Sequence, residues 1–144
     1  MGQQQLLLLV LGIVIVGLAV VVGIQAFSEN QKKANADALV NDAIRIASDA
    51  QAWMLKPTAF GGGNNSCAST CDWSSVSFAQ LGYPVTSGAY VNLNGSFALS
   101  ESGGTLTITS TSATNGNQVT VAVTGTGPTN IATTVDTSYT APSS

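Results

Sequence analysis

The sequence predicts an α+β fold in which a long N-terminal α-helix packs on a small antiparallel β-sheet head. An unbroken apolar run near the N-terminus leads into an amphipathic stretch without proline or glycine, and the C-terminal part alternates between apolar and polar residues. Helical periodicity followed by strand periodicity is typical of α+β proteins. We therefore expect a helix over residues 1–56, a loop region with a cysteine pair over residues 57–88, and an antiparallel β-meander over residues 89–144. The helix is expected to have an apolar half, residues 1–27, suited to a membrane or a filament core, and an amphipathic half, residues 28–56.

The composition excludes several classes of function. The 144 residues include 4 basic and 7 acidic side chains, no histidine and two cysteines, and the net charge is −3. No basic stripe is present to neutralise phosphates, so we predict no nucleic-acid binding. Histidine-dependent metal sites and catalytic triads are ruled out, and the sequence contains no paired carboxylates, nucleophile elbow or phosphate loop. We expect a protein that is not an enzyme and uses no cofactor.

The apolar run extends over 19 residues, from Leu6 to Ile24. As a helix it would span roughly 28 Å, close to the ~30 Å hydrocarbon core of a bilayer. Three glycines, Gly12, Gly17 and Gly23, are soft points that membrane helices tolerate where neighbouring helices pack closely. A cleaved secretory signal is the alternative, but no basic residue precedes the run and residues 24–26 form a weak cleavage site. The large apolar side chains of the run are Leu6, Leu7, Leu8, Leu9, Val10, Leu11, Ile13, Val14, Ile15, Val16, Leu18, Val20, Val21, Val22 and Ile24.

The amphipathic half, residues 28–56, continues the helical pattern. Apolar residues recur at spacings of three and four from Ala36 to Met54, which predicts one core-facing side. Ser28 begins a segment shaped like a capping box, which leaves open a break in the helix there. Pro57, followed by three glycines at 61–63, predicts the end of the helix. Charged residues at helical spacing are expected to form a solvated face: Glu29, Lys33, Asp42, Arg45 and Asp49.

The C-terminal part predicts four or five short strands. Turn signals at Asn94-Gly95, Gly103-Gly104 and Asn115-Gly116 separate segments of period-two alternation. In such a meander one face covers the helix, while the other meets solvent, here with uncharged serine and threonine side chains. The strand candidates are residues 90–93, 96–100, 105–110, 118–124 and 131–139.

Cys67 and Cys71 are the only cysteines. They cannot close a zinc site alone, and their spacing differs from the redox C-x-x-C motif, so a short-range disulfide in an oxidising compartment is favoured over free thiols. Sequons for N-glycosylation begin at Asn64 and Asn94. Such matches arise often by chance in a chain rich in asparagine and serine, and a hairpin turn accounts for Asn94 without a glycan.

This layout resembles the type IV pilin superfamily, which comprises bacterial pilins, pseudopilins of secretion systems and archaeal relatives. The sequence-specific part of the resemblance is Gln3–Gly17 (QQQLLLLVLGIVIVG). The resemblance implies that a prepilin peptidase cuts a leader, with Met1, Gly2 and Gln3 as processing candidates, and that the new N-terminus is methylated. It also implies insertion in the inner membrane, and then assembly by pilus machinery into a helical homopolymer, an extracellular filament that serves adhesion.

Two positions depart from the family pattern. The glutamate usual at the fifth mature position is Gln5 if Met1 is the mature terminus, and Leu7 if cleavage precedes Gln3. The family's proline near position 22 is absent, and Gly17 and Gly23 could provide local helix melting instead. Two alternatives remain open: a pseudopilin or minor pilin of a secretion system, and a membrane-anchored extracellular binding module.

Overall fold

A computed structural model describes residues 2–138 and has the predicted α+β fold. One long helix is followed by a five-stranded antiparallel sheet with strand order β1-β2-β3-β4-β5. The chain divides into two units at Lys33/Ala34, and we call the described part of the second unit, residues 34–138, the head. The elements are α1 (Gly2–Leu55), a 3₁₀ helix (Thr58–Phe60), β1 (Tyr90–Val91), β2 (Gly95–Ser102), β3 (Thr105–Ser112), β4 (Gln118–Val123), a second 3₁₀ helix (Pro128–Asn130) and β5 (Ile131–Asp136).

Helix α1 runs without interruption through Ser28, so the break that the capping-box pattern left open does not occur. No proline or glycine lies between Ser28 and Lys56 to interrupt the helical hydrogen bonds. The helix ends at Leu55, just before Pro57, because the residue that precedes proline is restricted to extended backbone.

The core of the head lies between the C-terminal part of α1 and one face of the sheet. Burial alternates along β3 and β4, so every second side chain points towards the helix. Half of the buried helix residues are alanines, so small side chains line much of the side of the helix that faces the sheet. The buried residues of α1 are Ala36, Leu39, Ala43, Ile46, Ala47, Ala50, Trp53 and Met54, and those of the sheet's inner face include Phe97, Leu106, Ile108, Val119, Val121 and Val123.

The hairpin between β2 and β3 follows the sequence pattern. Ser102 pairs with Thr105, so Gly103 and Gly104 alone form the turn. Their φ angles of 59° and 83° are those that a two-residue type I′ turn requires and that glycine adopts without steric cost. The predicted turn is therefore confirmed.

Two strand predictions are corrected. The first strand was expected over residues 90–93, but β1 ends at Val91, because Asn92 Oδ1 accepts the backbone N–H groups of Asn94 and Gly95 and closes a turn. The turn therefore spans residues 92–95, and Gly95 already begins β2. The last strand ends at Asp136, whose carboxylate accepts hydrogen bonds from Ser138. The predicted strand residue Tyr139 lies outside the described residues.

Candidate assembly site: the exposed apolar helix

The apolar run of α1 is exposed along its whole length. We call residues 6–24 the apolar segment. Its fifteen large side chains are each between 51% and 70% exposed, with Val14 the lowest and Leu7 the highest. By length and composition this helix could cross a membrane, and it is compatible with membrane insertion. Phe27, 65% exposed, extends the same surface beyond Ile24, although it was not among the large apolar side chains that the sequence analysis named.

The three glycines of the apolar segment have open space around them. A Cβ added at Gly12, Gly17 or Gly23 would meet no atom within 4 Å, apart from the helix's own neighbouring backbone. Packing among the described residues therefore gives no reason for glycine at these positions. Small residues in apolar helices commonly mark places where a second helix approaches closely.

The first turns of α1 carry amides rather than charges. Gln3, Gln5 and Leu7 are all exposed on the helix, which begins at Gly2. No ionisable side chain occurs between Gly2 and Ser28. A contact made by this segment would therefore depend on apolar packing and amide hydrogen bonds. Met1, one of the processing candidates, lies outside the described residues.

The head holds the cysteine pair and ties it to the sheet. Cys67 and Cys71 form a disulfide, and Cys71 is buried with its Sγ 3.4 Å from the carbonyl oxygen of Thr124. The indole Nε1 of Trp73 donates to the carbonyl oxygen of Gly104 at 3.2 Å, which fixes the same loop to the β2–β3 turn. Within residues 2–138, no group of three or more histidine, cysteine, aspartate or glutamate side chains could hold a metal ion.

Two acidic residues of α1 hold polar partners in the head. Asp42 Oδ2 accepts hydrogen bonds from Asn92 Nδ2 at 2.9 Å and from Asn94 Nδ2 at 2.7 Å. Asp49 accepts a hydrogen bond from the hydroxyl of Tyr83. The prediction that these carboxylates belong to a solvated face is therefore wrong for both. Their partners lie 34 to 52 residues away, beyond the reach of a helical spacing rule.

Asparagine side chains add further hydrogen bonds between α1 and the loops of the head. Asn35 Nδ2 donates to the backbone oxygen of Asn94 at 3.1 Å, and Asn35 Oδ1 accepts from Asn117 Nδ2 at 3.1 Å. Sequence reasoning missed this cluster. The available signal was the pair of polar residues Asn35 and Asp42, which a separation of seven places on one side of a helix.

The two sequons have different environments. Asn94 is half-buried, and its side-chain nitrogen, the atom that a glycan would occupy, donates to Asp42. Asn64 is exposed, with φ of 56°, and its backbone N–H donates to the carbonyl oxygen of Lys56. Of the two predicted sites, only Asn64 leaves its side chain accessible.

No family model, curated protein or solved structure gave a significant match to this chain.

Proposed function

We propose that this chain is a structural subunit of an extracellular, type IV pilus-like filament. The observation that carries the proposal is the exposed apolar segment, in which fifteen large side chains of residues 6–24 lack contacts that would bury them. Before assembly this segment is inserted in a membrane. In the filament it lies at the centre of a bundle formed by copies of the same chain.

The energetics support assembly of this kind. Fully burying a valine, leucine or isoleucine side chain is worth ~1.5–3 kcal/mol, so the segment forgoes on the order of 15–25 kcal/mol while it stays exposed to water. Before assembly, the lipid of the bilayer covers these apolar side chains. After the subunit leaves the membrane, a bundle of identical helices buries them. Identical copies related by an operation that does not close form a filament rather than a ring.

The surface of the head is suited to an outward position. The outer face of the sheet carries uncharged hydroxyl side chains, among them Thr107, Thr109 and Thr120, which are only half-buried. The disulfide of the head is typical of an oxidising, extracellular compartment. The departure at the family's glutamate position means that assembly would proceed without a carboxylate at Gln5 or Leu7.

Val14→Asp tests the proposal, because Val14 lies in the middle of the apolar segment and is the least exposed of its large side chains, at 51%. A buried, unpaired carboxylate costs several kcal/mol, so we expect loss of filaments from sheared surface material. The matched control is Thr114→Asp, which adds the same charge at an exposed loop position of the head and should leave filaments intact. Cryo-electron microscopy of the sheared material gives the readout.

The same preparation separates the alternatives. Abundant filaments built from this chain support the major-subunit proposal, whereas scarce copies in short or tip assemblies would indicate a minor subunit. Filaments of normal length from the Val14→Asp variant would overturn the proposal that the apolar segments are bundled at the filament centre. A chain recovered only as a monomer from membranes would overturn the filament itself and favour an anchored binding module.

A further inference from the structure

Leu93 is the most exposed large apolar side chain in the described chain, at 103%, while the next most exposed, Phe60, reaches 72%. It lies in the turn between β1 and β2, where polar residues are usual. No contact within the head requires a leucine there.

Hydrogen bonds fix the residues on both sides of Leu93 in the turn. Asp42 binds the side-chain amides of Asn92 and Asn94, and Asn35 donates to the backbone oxygen of Asn94. Within the turn, the backbone N–H groups of residues 94 and 95 donate to Asn92 Oδ1. Because the backbone of this turn is already ordered, binding through Leu93 costs little further backbone freedom, which favours its use as a contact point.

The same head contains an apolar cleft of about 440 Å³. Phe78 is buried within its lining, Val76 and Leu99 are half-buried, and Val85 is 47% exposed. Ser77, Ala79 and Gly88 complete the lining, so no charged side chain contributes to it. The volume falls within the ~300–1,000 Å³ range of sites that bind small ligands, which is ample for one leucine side chain.

We propose that Leu93 of one copy inserts into this cleft on the neighbouring copy. This inference rests on the proposed function, since it names a contact between heads in the filament. The turn and the cleft are different surfaces of one chain, so their pairing is heterologous, and a contact of this kind repeats without closing unless the rotation returns to the start. Burial of an apolar side chain in an apolar cleft supplies the attraction.

Cysteine cross-linking between copies tests the contact directly. Cells that form the filament would express two variants together, L93C and V85C, and the sheared filaments would then be oxidised. Because the native cysteines are already paired with each other, a dimer can arise only from the introduced thiols. We expect a disulfide-linked dimer from the mixture and none from either variant alone.

The matched control replaces V85C by F60C, at a position that is more exposed than Val85 and lies outside the cleft lining. Mixtures of L93C with F60C should give no dimer. Filaments that contain both L93C and V85C without a dimer would overturn the contact while leaving the proposed function intact. Absence of filaments from the unmodified chain would instead overturn the proposed function.

A second variant measures the strength of the contact. Leu93→Ser should preserve the fold, because the side chain is fully exposed, and should raise the concentration of unassembled subunit by roughly ten- to hundredfold, the equivalent of one buried leucine. Phe60→Ser, which removes another exposed apolar side chain, should leave that concentration unchanged. Equal effects of the two substitutions would overturn the specific role of Leu93.

Discussion

Gly62→Ala is expected to destabilise the head by about 3 kcal/mol, because it would displace the loop that caps the end of α1. The backbone N–H groups of residues 63, 64 and 65 donate to the carbonyl oxygens of Trp53, Lys56 and Met54 at 3.0, 2.9 and 2.6 Å. No further helical turn follows Leu55, so the returning loop supplies donors to these carbonyls, of which that of Trp53 also accepts the backbone N–H of Lys56 at 3.1 Å.

The magnitude follows from the space around Gly62. An added Cβ would lie 2.2 Å from the carbonyl oxygen and 2.4 Å from the Cβ of Lys56, so the loop must move away from the helix end. Loss of the three capping hydrogen bonds costs about 1 kcal/mol each. For a domain of this size, ~3 kcal/mol corresponds to a decrease of roughly 14 °C in Tm.

Urea denaturation of the full chain in detergent, followed by tryptophan fluorescence, gives the free energy of unfolding of the head, since Trp53 and Trp73 are both buried there. The control is Gly61→Ala, where φ is 78° and an added Cβ meets no atom within 4 Å. That variant carries only the ~1–2 kcal/mol cost of a left-handed alanine. If Gly62→Ala costs no more than Gly61→Ala, the steric argument is refuted.

Two further predictions concern single side chains of the head. Ser110→Ala should stabilise the head by about 1 kcal/mol, because among the described residues no partner binds the fully buried Ser110 hydroxyl, whereas Ser100→Ala on the exposed face should change little. A loss of stability in Ser110→Ala on thermal denaturation would contradict this. Burial, and then the hydrogen bond to Asp49, raise the pKa of Tyr83 from 10.0 to about 12. The folded state therefore retains a proton that the unfolded state loses above pH 10, so the free energy of unfolding should fall between pH 10 and 12. Tyr83→Phe should remove this part of the decline. An identical decline in the variant would argue against the role of Tyr83.

The sequence alone determined those elements that depend on residues close together in the chain. The apolar segment and the absence of proline and glycine after Ser28 predicted α1, and Pro57 predicted its end. Alternation of apolar and polar residues predicted β3 and β4, and Gly103-Gly104 predicted the hairpin of β3 with β2. Backbone dihedral preferences and side-chain periodicity act over a few residues, so they can be recognised without knowledge of the rest of the fold.

Only the tertiary structure decided the partners of polar groups and the exposure of loop side chains. Asp42 fits a solvated helix face by spacing, yet it binds Asn92 and Asn94, and that contact engages one sequon. The glycines at 61–63 were predicted to stop α1, but not to return and cap it. These contacts join residues that are distant in the chain, and they exist only where packing of α1 on the sheet brings donors and acceptors within hydrogen-bond distance.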